Sequence, residues 1–184
     1  RVLFRSIANG GTIWQPTVAK AIVNTEGKVI KEFEGKKLGD IGVDKKTLTF
    51  LQSALHEVTL TGTSAGLFSK FPIQTAGKTG TAQVFGKNAN GSAKADTSWY
   101  ASYAPYKNPQ YAVVMMVSQG GFGASTSGAG VKKIYEALFG VQGGAVNPEL
   151  SLFPKGKPPV KLPKISPATK PAASILNPKG SDEK

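Results

Sequence analysis

Lys78, Thr79, Gly80 and Thr81, inside Thr75-Ala-Gly-Lys-Thr-Gly-Thr-Ala-Gln-Val84, put an ammonium and two hydroxyls along one short segment. If this segment is a strand, side chains alternate between its faces, so Thr79 and Thr81 point the same way, about 7 Å apart. Gly80 lacks a side chain and lets another backbone come close. A lysine beside two hydroxyls suits a carboxylate, because charge-assisted hydrogen bonds are the stronger kind. The edge of such a strand can also pair with an added peptide strand. The chemistry implied is the docking of an extended, carboxylate-terminated peptide. A bare K-T-G triplet arises by chance in roughly a few per cent of chains of this length, so the triplet needs support from its surroundings.

That support lies in order and spacing. K-T-G accompanies S-x-x-K and S-D-N in β-lactamases and penicillin-binding proteins. Around it here stand Ala8-Asn-Gly-Gly-Thr12 with Pro16, Thr61-Gly-Thr-Ser-Ala-Gly66, Phe71-Pro72, Ser98-Trp-Tyr-Ala-Ser-Tyr-Ala-Pro105 and Ile134-Tyr-Glu-Ala-Leu-Phe139. In this order the segments resemble class B penicillin-binding proteins, and within them the elongation-type penicillin-binding protein 2 group, over residues 7 to about 140. The resemblance implies an acyl-serine D,D-transpeptidase that cross-links peptidoglycan. In it Thr79 and Thr81 would hold the carboxylate of a D-Ala-D-Ala stem peptide or a β-lactam, and Gly80 would complete the substrate-binding strand. The Thr81 N–H would form part of an oxyanion hole. Lys78, the catalytic candidate, would tune the field and assist proton transfer. The resemblance further implies the extracytoplasmic face of a bacterial cytoplasmic membrane, and a membrane glycosyltransferase partner acting through the parent protein.

The other two motifs are missing. Ser181-Asp-Glu-Lys184 is the one S-x-x-K match, at the end of a Pro- and Lys-rich segment, and no S-x-N triplet occurs. The family places both motifs before the Asn-Gly-Gly segment. The expectation is therefore a C-terminal part of a transpeptidase domain, inactive alone, with its membrane anchor and nucleophile upstream. Arg1-Val-Leu-Phe-Arg-Ser6 departs from the family pattern, and one frame of a common sequencing-adapter end encodes it. It reads as a non-native leader over 1–6. The transpeptidase part then spans 7–142, followed by a Pro/Lys-rich disordered tail over 143–184, which holds 8 of the 12 prolines. Two other functions share these features: a non-catalytic penicillin-binding sensor domain, and a basic cell-wall-binding module in which K-T-G is accidental.

Composition narrows the field. The 184 residues, 40% of them hydrophobic, suffice for one core. Net charge is +12, with +8 over 1–140 and +4 over 141–184. A basic balance favours anionic partners, yet no helix-turn-helix, RRM or KH pattern points to nucleic acid. With no cysteine, disulfides and thiolate metal sites are excluded, and no metal or cofactor is expected. No apolar run is long enough to span a bilayer.

The elements that must position the strand read as α+β: an antiparallel sheet with flanking helices, the C-terminal part of a penicillin-binding, β-lactamase-like fold. Thr17–Thr25 and Val29–Phe33 flank a Glu26-Gly-Lys28 turn. Asp44 caps a helix whose Leu48, Leu51, Leu55 and Val58 form a stripe. Strands follow over about 75–84, 98–104 and 111–118. The last is an apolar run expected at the sheet centre. A helix over 127–139 ends at Gly140. The loop 85–97 would flank the cleft. His56 is expected to pack rather than to act as a base, and Asp96 and Glu57 lack carboxylate partners. Gly120, Gly121 and Gly123 form a loop bordering the site and lack the lysine of a phosphate loop. Trp99 and Tyr100 are expected to pack the sheet, with Tyr100 or Tyr103 lining the cleft as the alternative.

Overall fold

Turn and cap chemistry sets the order of elements in the computed structural model, which describes residues 2–152. Helix α1 (Val2–Ala8) leads through the Asn9-Gly-Gly11 turn to β1 (Thr12–Trp14); β2 (Ala21–Val23), β3 (Val29–Glu32) and β4 (Lys37–Asp40) follow. Next come α2 (Lys45–Leu60), α3 (Ala65–Phe68), β5 (Ala76–Ala82), β6 (Thr97–Ala104) and β7 (Tyr111–Val117). A π-helical turn (Ala124–Gly128) runs into α4 (Ala129–Phe139), then β8 (Val141–Gln142), β9 (Ala145–Val146) and a 3-10 turn (Pro148–Leu150).

The described residues divide into two units, one containing those up to Pro16 and from Gly35 to 152, the other containing Thr17–Glu34. The described part of the second unit is the β2–β3 hairpin, antiparallel with Ile22 opposite Lys31. Asn24 makes its turn: the side-chain oxygen accepts the N–H groups of Glu26 at 3.1 Å and Lys28 at 2.8 Å. Gly27 takes φ of 85°, which a side chain would resist.

The first unit is built on an antiparallel sheet in the order β5–β6–β7. Period-two alternation along β6 sends Tyr100 to one face and Tyr103 to the other, and both are fully buried. On the first face Tyr100 and Ala104 join Phe68, Phe71, Val131 and Tyr135, bringing in α3 and α4. On the second face Tyr103 and Ala76 join Ile7 and Leu48, bringing in α1 and α2. Helices therefore flank both faces, as the α+β reading expects. Asp44 caps α2, its carboxylate accepting the Thr47 N–H at 3.0 Å and hydroxyl at 2.6 Å. Gly140 ends α4 in the left-handed conformation, φ 67°.

Four expectations change. The apolar run Tyr111–Val117 is not the sheet centre: β6 lies in the middle, and β7 is an edge strand among the described residues. Its apolar content divides by face, with Val113 and Met115 packed under α4 and Met116 left exposed on the other side. Trp99 does not pack the sheet; alternation puts it opposite Tyr100, where it is 40% exposed. Of the segment expected as a tail from 143, residues 143–152 fold back on α4. Ser151 donates its hydroxyl to the Leu138 carbonyl at 2.6 Å, and the Leu152 N–H reaches the Ala137 carbonyl at 3.1 Å. The remainder of that tail, including Ser181–Lys184, lies outside the described residues. Last, α4 begins two residues later than read, behind the π-helical turn. The segment expected as a leader is helical from Val2, and Ser6 and Ile7 are buried.

Two pairings were not foreseen: β8 with β9, Val141 opposite Val146, and β1 with β4. β1 meets β4 with Thr12 opposite Asp40 and Ile13 opposite Gly39. Lys37-Leu-Gly-Asp40 has a single large apolar residue, too few for a strand pattern to register.

Candidate functional site: the free edge of β5

β5 changes character along its length. Ala76 and Gly77 are buried, Thr79 and Gly80 are half-buried, and Lys78, Thr81 and Ala82 are exposed. At its buried start the strand is tied to α2, since the Thr75 carbonyl accepts His56 Nδ1–H at 2.6 Å and the Thr59 hydroxyl at 2.8 Å. His56 also stacks on Tyr106, with ring centroids 4.0 Å apart. It thus acts in packing, as expected. Gly77 is required by contact: a Cβ there would lie 2.6 Å from the Tyr100 hydroxyl and 2.9 Å from Ser102 Cβ. Small size at this point lets β5 close onto β6.

On its inner side β5 pairs with β6, Thr79 opposite Tyr100 and Thr81 opposite Ser98. Its outer edge meets no strand among the described residues. Alternation sends the Lys78 and Thr79 side chains to opposite faces, yet they meet. Lys78 Nζ donates to the Thr79 carbonyl at 3.0 Å and to Thr79 Oγ1 at 3.1 Å. Only an uncovered edge allows the lysine arm to wrap around the strand in this way. The Thr79 carbonyl that it reaches points along that edge, and the alternation of backbone groups gives the Thr81 N–H the same direction.

The hydroxyls are held from the other side. Gly123, in the loop after β7, donates its N–H to Thr81 Oγ1 at 3.4 Å. It lies so close over the β5–β6 pair that a Cβ would sit 2.5 Å from the Gly80 carbonyl oxygen. Gly123 therefore belongs to the support of the strand, consistent with a loop bordering the site. Thr63, in the segment after α2, lies with its Oγ1 3.0 Å from Thr79 Oγ1. Nothing in the sequence singles out Thr63 within Thr61–Gly66, because a contact sixteen residues away leaves no local signal.

Thus Lys78, Thr79, Gly80 and Thr81 lie on the uncovered strand β5, while Tyr100 and Tyr103 are fully buried and do not line the edge. Glu57 accepts the Thr61 hydroxyl at 2.6 Å, a helix-end contact rather than half of an acid–base pair. Among the described residues no group of His, Cys, Asp or Glu could hold a metal ion, and no helix is long and apolar enough to cross a membrane.

Comparison with known proteins places the chain in a family. Residues 2–140 match the penicillin binding protein transpeptidase domain. The chain is 30% identical over 142 residues to the peptidoglycan D,D-transpeptidase MrdA of Haemophilus influenzae, covering 71% of this chain and 21% of that protein. Among solved structures, it is similar to the D,D-transpeptidase domain of a peptidoglycan glycosyltransferase from Eggerthella lenta, with TM-score 0.63 and 28% identity, over 77% of this chain and 31% of that one. It is also similar to Pseudomonas aeruginosa PBP2 in complex with WCK 5153, with TM-score 0.61 and 25% identity, over 80% and 31% of the two chains. The chain thus spans about a fifth of the length of the MrdA relative. With this match over most of its length, and with K-T-G on an open strand edge, the chain belongs to the penicillin-binding protein transpeptidase domain family.

Proposed function

We propose that the free edge of β5 is the substrate-docking strand of a serine-type peptidoglycan D,D-transpeptidase whose nucleophile is carried by residues outside this sequence. The observation that carries this reading is the contact of the Lys78 ammonium with the Thr79 hydroxyl, with Thr81 on the same face of the strand as Thr79, at an edge that no described strand covers. A stem peptide ending in D-Ala-D-Ala lies against this edge, its carboxylate accepting from Thr79 and Thr81. The serine hydroxyl attacks the penultimate D-Ala carbonyl, and the terminal D-Ala leaves as the amine while an acyl-serine forms. The amine of a second stem peptide then takes the acyl group and releases the serine. Negative charge developing on the carbonyl oxygen is met by the Thr81 N–H. Lys78 stabilises the incoming carboxylate and assists proton transfer at the serine. β-Lactams use the same edge through their own carboxylate.

In this reading the working protein sits on the outer face of a bacterial cytoplasmic membrane and acts beside a glycosyltransferase partner. Such a setting gives the basic surface, net charge +12, anionic surroundings. The test is covalent labelling by fluorescent penicillin. The full-length protein that carries this segment should label and lose labelling when its serine is replaced, while the 184-residue chain alone should not label. Absence of labelling in the full-length protein would overturn the acyl-serine reading.

A further inference from the structure

The segment Thr61-Gly-Thr-Ser-Ala-Gly66 has no part in the chemistry above, yet it is anchored at several points. As α2 ends, the N–H groups of Thr61 and Gly62 both return to the Glu57 carbonyl, at 2.9 and 3.2 Å. Gly62 presses on the helix backbone, where a Cβ would lie 2.8 Å from Val58 Cα. Ser64 is fully buried, and its hydroxyl donates to the Val58 carbonyl at 3.1 Å and accepts from the Tyr100 hydroxyl at 3.0 Å. Between these two fixed residues stands Thr63, exposed to solvent, with its hydroxyl 3.0 Å from that of Thr79.

Proton counting gives this contact a direction. A threonine hydroxyl has one proton to donate and can accept two, and an ammonium only donates. Lys78 Nζ already donates to Thr79 Oγ1. If Thr79 then donates to Thr63, its only proton is taken and it has none for a ligand. If Thr63 donates to Thr79, both acceptor positions are filled and the Thr79 proton is free to point outward. An incoming carboxylate, which only accepts, selects the second arrangement.

We infer that Thr63 is a positioning residue that turns the Thr79 hydroxyl into a donor for the ligand carboxylate, through the 3.0 Å contact between the two hydroxyls. This inference rests on the docking role proposed for β5. The residue touches no reacting atom. It acts by filling the second acceptor position of Thr79 Oγ1, which with Lys78 at the first leaves the Thr79 proton directed outward to the ligand.

The experiment measures acylation kinetics of the full-length protein by a penicillin with a free carboxylate and by its methyl ester, for wild type, Thr63→Val, Thr63→Ser and Thr79→Val. Thr63→Val keeps the side-chain shape and removes the proton. With the free acid it should raise the half-saturating concentration about tenfold, the worth of one hydrogen bond to a charged ligand, and leave the limiting rate nearly unchanged. Thr63→Ser should restore the wild-type value. With the ester, wild type and Thr63→Val should react alike, since no anion selects the donor. Equal free-acid kinetics for Thr63→Val and wild type, while Thr79→Val is impaired, would overturn the inference and leave the docking role intact. So would an equal penalty on the ester, which marks a merely structural residue. Unimpaired acylation of Thr79→Val would instead remove the docking role, and the inference with it.

Discussion

Two sets of hydroxyls lie within a few residues of each other in this molecule, and they are used in opposite ways. The buried set is closed on itself: Tyr100 donates to Ser64, Ser102 pairs with Tyr135 at 2.8 Å, and Ser98 donates to Ser127 at 2.8 Å. The edge set, Thr63, Thr79 and Thr81 beside Lys78, holds more protons than its internal partners require. Both sets are placed by the same strands. Thr79 and Thr81 even sit on the face that carries Tyr100 and Ser98. The difference is burial. Away from water an unpaired hydroxyl is costly, and these six all find protein partners, whereas the buried hydroxyls of Thr75 and Tyr103 find none; at an open edge water fills the gap, and a ligand can replace the water. An edge that remains under-paired by the protein is thereby available for recognition.

Substitutions can break this contrast. The largest effect is expected at Lys78. In the full-length protein Lys78→Ala should lower the rate of fluorescent-penicillin labelling by about 100-fold or more, with the thermal midpoint almost unmoved because the side chain is exposed. Unchanged labelling would take Lys78 out of the site. Gly77→Ala comes next, since it drives a Cβ against the Tyr100 hydroxyl and should destabilise by about 1–3 kcal/mol. A denaturant titration that finds no loss would show that β5 and β6 can part at this point.

Tyr135→Phe probes the closed set. Removing one buried hydrogen bond to Ser102 should cost about 1 kcal/mol near neutral pH and leave acylation alone. The cost should shrink in alkali. Burial pushes the Tyr100 hydroxyl up to about 12, and burial also raises Tyr103 and Tyr135 above the ordinary 10.0. The folded state then keeps protons that the unfolded chain releases. The stabilisation is complete below pH 10 and is lost as pH rises toward the folded values. The phenylalanine variant has one fewer group to titrate and should show a shallower decline. Identical slopes would mean that Tyr135 is not shielded from water.

The smallest effect is expected at Asp44, held below the usual carboxylate value by the Thr47 hydroxyl and then its N–H. This cap helps above the ordinary value of 3.8 and is lost as pH falls through the lower, folded one. Asp44→Ala should lower the thermal midpoint slightly at pH 7 and not at pH 2. An equal shift at both would assign the effect to something other than the carboxylate.

These contrasts also show what was legible in the sequence. β5, β6 and the Asp44 cap could be read within a residue or two, because alternation, a turn or a capping side chain is a local signal. The uncovered β5 strand was legible as a motif. Its supports were not: Gly123 over Gly80, Thr63 against Thr79, and the serine–tyrosine pairs join residues 16 to 43 positions apart, and no periodicity encodes such distances. Trp99 and β7 were misread for one reason. Apolar composition says that a residue can be buried, whereas the register and the end of the sheet decide whether it is.

The most direct test is the structure of the full-length protein acylated by a β-lactam. The account predicts the ligand carboxylate within hydrogen-bond distance of the hydroxyls of Thr79 and Thr81, and the acyl carbonyl oxygen at the Thr81 N–H. A carboxylate held elsewhere, with the β5 edge left to water, would contradict it.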